Sequence, residues 1–155
     1  MSVFVEMEIE EKVLAILQAA ITGVKVTSSW QQLDEGEVKG EEKPDDTVVV
    51  AVAASAPEWD GYLNPVCSIA VTITVAVRRE IAPTGAALAA VAAPIAAFVV
   101  KHQQDVSLAD DFTTESFRCD GFLATGGTPL MFTATTGIWT FTRQFTLRGT
   151  VSEES

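Results

Sequence analysis

"IAPTGAALAAVAAPIAAFVV", residues 81–100, runs twenty positions without a charge, after Arg78, Arg79 and Glu80 and before Lys101. Twenty apolar residues with basic flanks have the length of a membrane span. The ends of the stretch argue otherwise. Pro83 or Thr84 suits a helix N-terminus, which leaves a helix over 86–100, fifteen residues of which eight are alanine. At about 1.5 Å per residue it covers roughly 22 Å, short of the roughly 30 Å hydrocarbon core. Pro94 removes one helical N–H and is expected to kink the helix. The segment therefore reads as a buried helix lying on a sheet. Leu88, Val91, Ile95, Phe98 and Val99 form its bulky stripe, and the alanines allow a close approach.

The sheet precedes it. In "CSIAVTITVAVRRE" (67–80), Cys67, Ile69, Val71, Ile73, Val75 and Val77 alternate with Ser68, Ala70, Thr72, Thr74 and Ala76. Period two over about eleven residues predicts one long strand, bulky on one face and small on the other. The small face is the expected seat of the alanine-rich helix. "TVVVAVAAS" (47–55) is a continuous β-branched run, the pattern of a strand covered on both faces. Farther back, "EMEIEEKVLAILQAAITG" (6–23) carries Ile9, Val13, Ile16, Leu17, Ala20 and Ile21 at helical spacing. Its early glutamates, Glu6, Glu8, Glu10 and Glu11, sit where the helix dipole favours anions. Gly23 is its expected C-terminal cap, and "VKVTSS" (24–29) a short strand. Beyond the opening stretch, "KHQQDVSLADDFTTE" (101–115) reads as a polar linker. Two closing strands follow, "SFRCDGFLA" (116–124) and "GIWTFTRQFTLRGTV" (137–151), joined by "TGGTPLMFTATT" as a loop or wide hairpin connection. The expected fold is one α+β domain over 1–155: a mostly antiparallel sheet flanked by an N-terminal helix and a second, Ala-rich helix. Residues 31–46, with seven acids, two lysines, two glycines and one proline, are expected to be a mobile acidic loop, and 152–155 a short flexible tail.

The chain's net charge is −11, from 21 acids and 10 bases among 155 residues. That excludes binding driven by neutralising phosphates, and docking on an anionic membrane. Cys67 and Cys119 are too few for a disulfide framework and are expected to be reduced and buried. The acidic N-terminus lacks the basic start of a signal peptide, which points to a cytosolic origin. Catalytic signals are sparse. His102 is the only histidine, and a triad needs a serine or cysteine and an acid beside it; at this position it reads as a polar residue just past a helix end. Asp110, Asp111 and Glu115 have the oxygens for a hard cation but read as a solvated acidic turn. Gly126 and Gly127 lack the spacing and lysine of a phosphate loop. No catalytic, metal-binding or cofactor-binding residue is assigned, and no cofactor is expected. In "PEWDGYLNPV" (57–66), Trp59 and Tyr62 flank a turn-forming Asp60–Gly61. They are read either as interface anchors or as rings folded onto the core.

The order of elements resembles the tail terminator (tail completion) proteins of long-tailed bacteriophages. The likeness spans residues 6–151. It rests on the helix "EEKVLAILQAAI", the acidic stretch, "DTVVVAVAAS", the alternating strand "CSIAVTITVAVRRE", a proline-containing helix, "FRCDGF", and the closing aromatic and threonine strand. The resemblance implies a structural virion protein, made in the bacterial host cytoplasm, with no enzymatic activity. It implies a homo-oligomeric ring, typically a hexamer, that caps the tail tube and docks the head–tail connector. Its partners are then itself, the tube protein and the connector or neck protein, with no membrane involved, and DNA passes through the pore without specific binding. Under that reading Trp59, Tyr62, Arg78 and Arg79 are expected at the subunit or tube interface. The acids Asp34, Glu35, Glu37, Glu41 and Glu42 are expected on a pore- or tube-facing loop that repels phosphates. A neck, head–tail joining or tube subunit is the alternative within the same class. A small hydrolase using His102 or an acid pair, or a ligand-binding module, is the alternative outside it.

Overall fold

The structure, a computed structural model, describes residues 4–21, 25–28, 48–59, 61, 65–78, 85–133 and 138–151. Helix α1 spans Val5–Ala20, strand β1 Lys25–Ser28, β2 Val48–Ala54, β3 Glu58–Trp59 and β4 Val66–Arg78. Helix α2 spans Gly85–Gln104 and a 3₁₀ helix Val106–Phe112, followed by β5 Phe117–Thr133 and β6 Ile138–Val151. The strands form one sheet in the order β1-β2-β4-β6-β5, with the two-residue β3 also on β4. Among the described strands, β1 and β2 run parallel and the other pairings are antiparallel. The fold is α+β, a mostly antiparallel sheet flanked by the N-terminal helix and the Ala-rich helix.

The alternation along β4 sets the core. Cys67, Ile69, Val71, Ile73 and Val75 are all fully buried. Val50 and Val52 of β2 and Phe145 and Leu147 of β6 join them on the same side. Both long helices pack onto this bulky face. From α1 come Val5, Ile9, Val13, Leu14 and Leu17; from α2, Val91, Ile95 and Phe98. The alanine-rich helix thus lies on the bulky face of the sheet, where Phe98 meets Phe145 of β6 and Phe122 of β5, and its expected seat on Ser68, Ala70, Thr72, Thr74 and Ala76 is corrected. Its buried positions are its own bulky stripe, which removes the most apolar area from water by meeting other large side chains. Ala93, Ala96 and Ala97 are exposed, and Ala92 is half-buried. The side chain of Leu88 lies outside the described residues. Nor is β2 covered on both faces by helices: Val50 and Val52 point into the core, while Ala51 and Ala53 alternate away and stay half-buried.

The other differences concern where elements stop. Helix α1 ends at Ala20 with Ile21 as its cap; Gly23 lies outside the described residues. Helix α2 passes through Pro94 and continues four residues beyond Val100 to Gln104. Most of the expected polar linker is therefore helical, since 106–112 forms the 3₁₀ helix capped by Asp105. Asp105 accepts from the Ser107 hydroxyl at 2.7 Å and its amide at 3.1 Å, contacts that hold its carboxyl below the usual range. Glu6 and Glu8 lie in the first turn of α1, where the dipole favours them, and Glu8 and Glu10 also make tertiary contacts. Glu8 accepts from the Thr114 and Ser116 hydroxyls and the Ser116 amide, at 2.7–3.2 Å. Glu10, buried, accepts from the Ala54 amide at 2.9 Å. Of the expected loop or hairpin connection over 125–136, residues 125–133 are strand, and 134–136 lie outside the described residues. Bulges near Gly121, Gly126 and Met131 absorb its irregular residues, and Gly126 and Gly127 take positive φ of 114° and 148°. Pro129 is tolerated because β5 is an edge strand, where a missing N–H breaks no ladder. Among the described residues no helix is long and apolar enough to cross a membrane.

Candidate functional site

The three helical segments among the described residues pack on one face of the sheet, so the other face is its candidate working surface. The register assembles it from four strands. Ala51 lies beside Thr74, which lies beside Thr142, which lies beside Thr128. The next rows bring Ala53, Thr72 and Gln144 together, then Ala70, Thr146 and Leu123. The row beyond Thr74 holds Ala76, Thr140 and Met131. None of these side chains is charged. Gln144 reaches Thr72 at 3.3 Å, and the Thr128 and Thr142 hydroxyls meet at 3.1 Å. These polar groups thus bond across strands, which lowers the cost of covering them. Arg118 and Arg148 mark its charged limit, at the end of the sheet where β5 begins.

The residues singled out in the sequence fall around the sheet. Trp59 sits in β3, paired with Cys67, and its side chain is 54% exposed, so it does not fold onto the core. Arg78 is the last residue of β4, opposite Ile138. Tyr62, Arg79 and the acids Asp34, Glu35, Glu37, Glu41 and Glu42 lie outside the described residues. Cys67 and Cys119 are both buried thiols. Both face Gly149 of β6 from opposite sides, which sets them two strand spacings apart, about 10 Å, beyond disulfide reach. Burial pushes the Cys119 thiol up to about 11. Gly149 itself is required by contact. A Cβ there would stand 2.2 Å from the Arg118 carbonyl and 2.7 Å from the Phe117 ring.

His102 corrects the sequence reading. It lies within α2, only 3% exposed, and is no solvated residue past a helix end. Its Nδ1 faces the Phe98 carbonyl and its Nε2 the Asp111 carboxylate, both at 2.9 Å. The rings of Phe98, Phe112 and Phe122 surround it with centroids 4.8–5.6 Å away. Both ring nitrogens are turned to oxygens of the fold itself, the Phe98 carbonyl and the Asp111 carboxylate, and neither is directed at a serine or cysteine, so the ring is not placed as a triad base. Asp111 is turned to His102, and Asp110 accepts from the Thr113 hydroxyl at 3.1 Å. The acidic turn is therefore part of the packing between α2 and the 3₁₀ helix, not merely solvated. Among the described residues no group of three His, Cys, Asp or Glu could hold a metal ion. The pairing of His102 with Asp111, nine positions on, has no period that sequence reading can find, because it depends on the corner between the two helices.

The remaining surface feature is the far half of β5. Leu123, Leu130 and Met131 are 57%, 43% and 46% exposed, and Phe132 is 37% exposed beside the Trp139 ring at 5.0 Å. Helix α2 guards the start of this edge: Gln103 Oε1 accepts from the Ala124 amide at 2.6 Å. Arg143 folds back over the Phe141 ring and donates to the Thr128 and Thr142 carbonyls, so its charge is tied to the hairpin backbone. No protein-family model matches the chain, and no curated protein is significantly similar to it.

Proposed function

We propose that the chain is a structural, ring-forming virion subunit of the tail terminator kind, one that closes the tail tube and offers a surface to the head–tail connector. The observation that carries this is the one-sided sheet. Among the described residues, helices cover the bulky face and none covers the other, an uncharged face of small and hydroxylated residues across four strands. An antiparallel sheet can leave one face to water, and a face without charge also suits burial against a neighbouring subunit, because interface cores are depleted in charged residues. Self-assembly through repeated contacts between different surfaces closes into a ring when the rotation permits. The exposed Trp59 suits a second contact, since aromatic anchors dominate interface energies. An acidic ring lets DNA slide without sticking.

Native mass spectrometry and negative-stain microscopy of the purified chain test this reading. A closed ring of fixed stoichiometry is expected. Long tubes would instead identify a tube subunit. A monomer at every concentration, alone and with tail tubes added, would overturn the ring reading.

A further inference from the structure

We infer that the far half of the β5–β6 hairpin, centred on Leu130 and Met131, is the surface through which one copy of this chain binds a second. The inference rests on the ring reading and names one of its contacts. Residues 121–142 are twenty-two consecutive positions without a charge, in a chain of net charge −11. Within them lie four of the eight large hydrophobic side chains exposed among the described residues: Leu123, Leu130, Met131 and Phe132. Three of the four are consecutive. Apolar exposure concentrated in this way marks an interaction site rather than chance scatter.

Charge selects the occupant. Two copies of a strongly acidic chain repel wherever their acids approach, so they meet at least cost across uncharged surface. A nucleic acid or an anionic membrane would need basic residues around the patch. Of the bases near the patch among the described residues, Arg143 is bonded to its own strands, and Arg78, opposite Ile138, adds a single further charge. The backbone also limits how the second copy docks. Bulges at Gly126 and Met131, and Pro129 without an N–H, break the row of donors that an added strand would need. Contact is therefore made by side chains, which favours one defined partner over open-ended strand addition.

The test uses the purified full chain. Leu130→Glu/Met131→Glu places two carboxylates on the patch, and Val106→Glu, at a site 70% exposed on the 3₁₀ helix, serves as control. Sedimentation velocity is expected to show association of the parent and the control. The double variant should bind itself at least roughly tenfold more weakly, as burying unpaired carboxylates requires, with an unchanged melting temperature. A photo-crosslinking residue at position 130 should join two copies. If the parent forms rings and the double variant forms them equally well, the surface is wrong and the ring reading stands. Dimers lost in the double variant would keep the surface and overturn the ring. A parent that stays monomeric, or crosslinks only within its own chain to residues 29–47, overturns this inference.

Discussion

The buried polar residues Glu10, His102 and Ser116 tie separate elements of the fold together. His102 joins α2, the 3₁₀ helix and β5 through two 2.9 Å contacts and three phenyl neighbours. His102→Ala should cost about 2–4 kcal/mol, because it opens a cavity among rings that cannot close on it. Asp111→Asn should cost far less, since Asp111 is 45% exposed and water can replace it. Urea unfolding of both variants checks the order; equal losses would show that the ion pair, not the packing, holds this corner. Cys119 gives a pH signature with a definite sign. Its folded value near 11 lies above the ordinary 9, so the unfolded chain releases the proton first. Stability from this site is complete below pH 9, then falls between pH 9 and about 11, by at most about 3 kcal/mol. Cys119→Ala should flatten that part of the stability profile. A slope unchanged in the variant would assign the loss to other groups.

Among the elements, α2 separates what periodicity reveals from what it conceals. Its bulky stripe was legible: Val91, Ile95 and Phe98 are buried as their spacing predicts. Its partner face was not. Alternation in β4 distinguishes two faces, but nothing in it says which one a helix covers. Area decides, and the large side chains win. The alanines follow from this. Ala93→Leu and Ala96→Leu, at exposed positions, should change stability by less than about 0.5 kcal/mol. Ala92→Leu, half-buried against the core, should cost roughly 1–3 kcal/mol through overpacking. Thermal melts of the three variants read this directly, and a large loss at Ala93 or Ala96 would return the helix to a face-down alanine packing. The strand β5 escaped sequence reading for a different reason. Gly126, Gly127 and Pro129 are loop residues by composition, and only the pairing with β6 shows them as bulges on an edge. The exposed Trp59 was visible as a candidate, whereas the open face across β2, β4, β6 and β5 arises from register and cannot be read from any one strand.

For the whole molecule, ionic strength separates two ways in which copies can join. Assembly through Arg78 or Arg79 on a neighbour's acids draws on attraction between opposite charges, and salt weakens it. Assembly through the uncharged hairpin has no such attraction to lose. Its cost is the general repulsion between two bodies of net charge −11, and salt screens that repulsion. The Debye length shrinks from about 30 Å at 0.01 M to about 3 Å at 1 M, so nearly all of the repulsion between well-separated acids disappears across that range. Self-association measured by sedimentation should therefore strengthen as sodium chloride rises, and sulfate, which also favours apolar burial, should strengthen it further. If association weakens steadily with salt, arginine–carboxylate pairs hold the copies together and the uncharged face is spare surface. The same series run on Arg78→Ala sharpens the result, because a hairpin-mediated assembly keeps its salt response when that arginine is gone.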